Sequence, residues 1–104
     1  MNLEEQLRQL VAETCRHSPG SIKRQQGLTQ IIRLTSRSDK LWKDHADYYE
    51  DALQQTWLYL CRNLCEAVTG QAYDPEKSSI ITWLNGYLKW RLQDYWTQMQ
   101  VTQI

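Results

Sequence analysis

Between Lys77 and Trp96 the chain interleaves three cations, Lys77, Lys89 and Arg91, with five rings, Trp83, Tyr87, Trp90, Tyr95 and Trp96. Lysine and arginine neutralise phosphates, while aromatic faces stack on unpaired bases at about 1–3 kcal/mol each. A single-stranded or opening nucleic acid needs that mixture of groups. The same rings also fill the cores of helical bundles. Trp83 and Tyr95 are read as core, whereas for Trp90 and Trp96 the two readings are balanced. Lys89, Gln93, Trp96 and Gln100 recur at helical spacing, which sets them on one face. Trp90 and Arg91 flank that face, and Lys77 is expected to approach it from the preceding loop.

No other residues read as a reaction centre. There is no Gly-rich phosphate loop, no nucleophile elbow and no zinc-protease histidine pair, so no enzyme and no cofactor is expected. His17 and His45 add no metal-ligand spacing to the three cysteines. Cys15 stands alone, and Cys61 and Cys65 lie one helical turn apart, which is read as buried structural thiols in a reducing compartment. The chain starts Met1-Asn2-Leu3-Glu4-Glu5 without an apolar leader and has no run long enough to span a bilayer. A cytoplasmic location is therefore expected.

The elements that must position these groups read as helices. Glycine and proline number only six in 104 residues, glutamine is abundant, and phenylalanine is absent. That composition, poor in valine and turn-formers, predicts one all-α domain over residues 1–104, a bundle of about four helices round a single core. Leu3, Leu7, Leu10, Val11 and Thr14 form a first stripe, ended by Ser18-Pro19-Gly20-Ser21. A second helix is expected from about Ser21 to Thr35, with Leu28, Ile31, Ile32 and Thr35 inward and Lys23, Arg24, Gln30 and Arg33 solvated.

The third helix has the strongest periodicity: Tyr49, Ala52, Leu53, Thr56, Trp57, Leu60, Cys61 and Leu64 make one wide apolar face. Its opposite side carries Asp51, Gln54, Gln55, Leu58 and Arg62. A solvated face accounts for all of these except Leu58. Residues 67–79 read as a loop, with Pro75 opposing helix at Asp74 and Ser78 or Ser79 as the next cap. A fourth helix is expected from Ile80 to Gln98, burying Leu84, Leu88, Leu92, Tyr95 and Met99, with Val101 to Ile104 frayed.

The net charge of zero hides blocks. Residues 16–43 carry +6 and residues 44–76 carry −6, flanked by −2 before and +2 after. Such blocks either make distinct basic and acidic surfaces or neutralise each other across helix contacts.

Glu50-Asp51-Ala52-Leu53-Gln54-Gln55-Thr56-Trp57-Leu58-Tyr59-Leu60-Cys61-Arg62 resembles the second conserved region of bacterial sigma factors of the extracytoplasmic-function type. About ten residues on, Tyr73-Asp74-Pro75-Glu76-Lys77-Ser78-Ser79 is similar to that family's Asp-Pro loop. Trp83-Leu84, Arg91-Leu92 and Asp94-Tyr95 match its following helix in register. The resemblance covers residues 48–96 and implies an all-helical domain that docks on RNA polymerase and handles the promoter −10 element. It places Asp51, Gln54, Gln55, Leu58 and Arg62 against the clamp helices of the polymerase large subunit. It places Lys77, Ser78, Lys89, Trp90, Arg91, Gln93 and Trp96 on DNA, with loop positions near Tyr73 as one wall for a flipped base. A regulator of the anti-sigma class is a further expected partner, and no membrane is.

The sequence departs from that pattern at Gln55, where the family carries an acid, at Ser78, where it carries glycine, and at Asn85-Gly86, where it is more basic. No −35-reading domain follows within these residues. The alternative expectation is a sigma-like helical adaptor or regulator that binds proteins without contacting DNA.

Overall fold

The computed structural model describes residues 2–102. They form four helices and, among the described residues, no strand: α1 (Leu3–Cys15), α2 (Ile22–Ser36), α3 (Tyr49–Asn63) and α4 (Ile80–Thr102). Among the described residues no helix is long and apolar enough to cross a membrane. The bundle is elongated, 49 × 28 × 24 Å.

Three of the four helices begin where a side chain supplies a partner for a free amide. The Asn2 side chain accepts from Glu5 N at 2.8 Å, and Ser21 Oγ accepts from Arg24 N at 3.2 Å. Between α1 and α2 the chain reverses at Gly20, whose φ of +83° is a conformation that L side chains rarely adopt. Ser79, not Ser78, caps α4, accepting from Thr82 N at 3.2 Å. α3 has no side-chain cap, but Glu50 and Asp51 in its first turn and Arg62 in its last complement the helix dipole.

α1 packs on α2, and α3 packs along α4. The first pair approaches so closely that a Cβ at Gly27 would overlap the Thr14 side chain. Burial is divided between two clusters. One joins Leu7, Val11 and Ile31 of the first pair to Leu60, Leu64, Ile80, Ile81 and Leu84. The other gathers Leu41, Ala52, Leu88 and Leu92, with Tyr48, Tyr49, Leu53, Trp57 and Tyr95 around them. The burial thus falls into two clusters that share Trp57, because α4 outruns the α1–α2 pair and finds a second partner in the segment carrying Leu41.

Several expectations about helical residues are corrected. Arg24, read as solvated, is buried: Nη1 donates to His17 O at 2.8 Å and Nη2 donates to Glu66 Oε1 at 2.5 Å. A charge on the inner side of α2 is tolerated because a carboxylate and a carbonyl meet it there. Cys61, read as inward, is exposed, and Met99, read as buried, lies beyond the end of the second cluster and is 44% exposed. Val101 is helical, not frayed, whereas the expectation for Gln103 and Ile104 lies outside the described residues.

Cys15 and Cys65, read as free thiols, are joined in a disulfide across 50 residues, with Cα atoms 5.4 Å apart. The end of α1 and the end of α3 meet there, next to the Arg24–Glu66 ion pair. Disulfides persist in oxidising surroundings, so cysteine usage no longer argues for a reducing compartment. Closing a loop of that length lowers unfolded-state entropy by an amount worth about 4 kcal/mol in the chain-entropy picture. Urea denaturation with and without dithiothreitol should therefore show a lower midpoint for the reduced protein. Alkylation of the denatured, unreduced chain should label one thiol, Cys61; labelling of three would contradict the bridge.

Candidate protein and nucleic-acid interfaces

α3 turns two faces to different tasks. Ala52, Thr56, Leu60 and Asn63 are buried, with Thr56 Oγ1 donating to Ala52 O at 2.8 Å so that its hydroxyl is satisfied inside the helix. On the far side Asp51, Gln54, Leu58 and Arg62 are exposed and Gln55 is half-buried. Leu58 is 45% exposed in the middle of this polar stripe. No ion pair engages Asp51 or Arg62 among the described residues, so the stripe keeps its charges for solvent or a partner.

The loop after α3 is held by one residue that periodicity passed over. Asn63 is fully buried. Its Nδ2 donates to Tyr59 O at 3.1 Å and to Thr69 Oγ1 at 2.8 Å, and its Oδ1 accepts from Thr69 N at 3.0 Å. Its carbonyl accepts from Tyr73 N at 3.0 Å. Further on, Asp74 Oδ1 accepts from Glu76 N at 2.9 Å and Asp74 O accepts from Lys77 N at 3.1 Å, a turn that Pro75 pre-sets. The Tyr73 hydroxyl donates to Ser78 O at 3.0 Å, closing the loop. Burial, which outweighs the opposing Arg8 charge, pushes the Tyr73 phenol up, so the donor keeps its proton at neutral pH.

This loop and α4 enclose a concavity of about 480 Å³ lined by Gln71, Asp74, Lys77, Ser78, Trp83 and Tyr87, with Tyr59 beneath. Tyr59 stacks on Tyr87 with ring centroids 4.0 Å apart, and Trp83 lies 5.1 Å from Tyr59. Gly86, which no atom approaches within 4 Å of an added Cβ, leaves the helix side of the hollow open. Tyr73 is not a wall of it. Its ring turns beneath the loop to Trp83, 5.2 Å away, and its neighbours Ala72 and Asp74 form the wall instead.

The other side of α4 carries Lys89, Gln93 and Trp96, and they line a different concavity, of about 380 Å³, with Trp42, Asp44, Tyr48 and Leu92. The sequence-predicted DNA residues are therefore divided. Lys77 and Ser78 belong to the first hollow, Lys89, Gln93 and Trp96 to the second, and Lys77 does not line the Lys89 face. Trp90 is 57% exposed, its ring 5.8 Å from Tyr87. Arg91 is turned inward: it pairs with Asp94 at 3.5 Å and lies 5.2 Å from the Tyr95 ring, with its Nε buried and unpartnered.

What positions the second hollow is Asn85. Its Oδ1 accepts from Trp42 N at 2.8 Å and its Nδ2 donates to Lys40 O at 2.9 Å, so one side chain holds an extended segment on α4. The Tyr49 hydroxyl donates to Trp42 O at 2.6 Å. Burial, reinforced by the Glu50 and Asp44 carboxylates, pushes the Tyr49 phenol up and keeps that donor protonated. Trp42 is thereby fixed with Lys89 Nζ 4.4 Å above its ring. Trp42, Asn63 and Asn85 are the contributors that sequence reasoning missed. An Asn-Gly pair inside a helix was the one available signal, since neither residue favours that position.

No group of three or more metal-ligating side chains occurs among the described residues. Replacing Asn85 by alanine removes two hydrogen bonds to backbone groups, each worth about 0.5–1.5 kcal/mol. Asn85→Ala should lower the thermal midpoint and shift the Trp42 indole N–H resonance; an unchanged indole spectrum would show that the clamp does not position Trp42. No protein-family model, curated protein or solved structure matches this chain.

Proposed function

We propose that this chain is a sigma-region-2-like binding module that docks on core RNA polymerase through α3 and engages the unpaired −10 strand through α4. The carrying observation is Leu58, exposed amid Asp51, Gln54, Gln55 and Arg62 on the face of α3 that the bundle leaves uncovered. An exposed leucine at the centre of a charged stripe is what a partner helix buries. The DNA half draws support from the Asp74–Ser78 loop and the Tyr59–Trp83–Tyr87 rings around one hollow, where an unstacked base finds π-faces and Lys77 a phosphate.

A second reading, an adaptor that binds proteins without DNA, is favoured by the fate of the cations. Arg91 is engaged by Asp94, and Lys89 lies over Trp42. Two measurements separate the readings. Leu58→Asp should weaken capture of core polymerase by more than about 2 kcal/mol while leaving helical content unchanged. Retained capture removes the α3 assignment. Titration of a −10-like single strand should quench tryptophan fluorescence. With Lys77 and Lys89 as the neutralising cations, the log–log salt slope should be about −1.4. Absence of salt-dependent quenching, with polymerase capture intact, selects the adaptor.

A further inference from the structure

We propose that the concavity between the 42–48 segment and α4 is a second base-binding slot, specific for an unpaired nucleobase that bears an exocyclic amine. This rests on the reading that α4 meets a single strand, and it assigns to that strand residues from outside the loop–α4 region. Trp42 and Trp96 are 42% and 50% exposed, yet both line the same hollow of about 380 Å³. Indoles left half in water beside a concavity offer stacking surface, on Trp96 and on the part of Trp42 that Lys89 does not cover. Leu92 and Tyr48 supply apolar lining.

The polar lining selects among occupants. Asp44 Oδ1 is committed to Ala46 N at 2.8 Å, and its second oxygen has no hydrogen bond among the described residues. Gln93 presents an amide that both donates and accepts. Lys89 adds an ammonium over Trp42. A quaternary ammonium would be repelled by the like charge of Lys89. An apolar side chain would bury Asp44, Gln93 and Lys89 without partners, at a cost. A nucleobase meets every requirement, with a π-face for the indoles, an edge for Asp44 and Gln93, and a phosphate for Lys89. The free carboxylate oxygen accepts from the amine of adenine, cytosine or guanine. Thymine has no such amine and turns carbonyl oxygens towards the acid.

The test follows the five indole N–H signals, assigned with single Trp→Phe variants, during titration with dAMP, dTMP and choline, and in parallel with short oligodeoxyadenylate and oligodeoxythymidylate. The slot predicts that dAMP moves the Trp42 and Trp96 signals, dTMP moves them much less, and choline does not. Trp42→Ala and Trp96→Ala should each weaken oligodeoxyadenylate binding about tenfold. Asp44→Asn keeps the acceptor for Ala46 N and should erase the preference over oligodeoxythymidylate. Both tryptophans are exposed, and thermal melts check that the variants fold. Strand binding that Lys77→Ala weakens and neither tryptophan variant affects overturns the slot but leaves the strand reading. Movement of Trp42 and Trp96 by dAMP without oligonucleotide binding retains the slot and overturns the strand reading. A response to choline in place of dAMP, or no response to any of them, overturns the slot.

Discussion

The burial of α4 against two successive partners is the constraint on which the rest of the structure depends. Leu84 enters one cluster, shared with the α1–α2 pair and the end of α3, while Leu88 and Leu92 enter another, shared with Leu41 and the start of α3. A helix of 23 residues is about 34 Å long, more than one short helical pair can cover. The extended segment after α2 must therefore be laid onto α4 to supply Leu41. Asn85 does this by standing in for a strand neighbour, satisfying an amide and a carbonyl that would otherwise be left open. Everything that makes the second hollow follows from this placement.

Much of this was legible because helical periodicity is a local property. The α1, α2 and α3 stripes fall within a residue or two of their expected limits, and the exposed position of Leu58 could be read from its neighbours alone. What was not legible depended on distance in sequence. Cys15 and Cys65 pair across 50 residues, and Arg24 meets Glu66 across 42. Helical spacing gave Arg24 to solvent because nothing within one turn of it announces a carboxylate at the end of another helix. Cys61 and Met99 failed for different reasons. Met99 continues an apolar stripe past the last buried residue of α4, Leu92, whereas Cys61 lies at the edge of the α3 face, between the buried Leu60 and Leu64.

Of the two ways composition allowed, the charge blocks follow the first, with basic and acidic groups exposed on different parts of the surface. Among the described residues one ion pair, Arg24–Glu66, joins the basic block to the acidic one, with Arg24 buried and Glu66 half exposed. Other pairs lie within a helix or turn, such as Arg91 with Asp94 and Arg16 with Glu13. Exposed pairs of that kind contribute little, so the blocks do not neutralise each other through the fold. Lys23, Arg33, Arg37, Lys40 and Lys43 stay exposed on one part of the chain, and Glu50 and Asp51 on another. A net charge of zero thus coexists with a surface whose field changes sign from α2 to the start of α3, which favours orienting a charged partner over attracting one from afar.

The two hollows beside α4 flank its outer face, and the residues between them explain why that face is open. Gly86 borders the first and Gln93 the second, about 10 Å apart along the helix axis. A bulky side chain at 86 would divide the surface, whereas glycine there costs about 1 kcal/mol of helix propensity. Tertiary packing does not require that glycine, because nothing lies within 4 Å of an added Cβ. Gly27 differs, since its missing Cβ is demanded by Thr14. Gly86 has no packing reason, and it leaves the α4 backbone open at the first concavity.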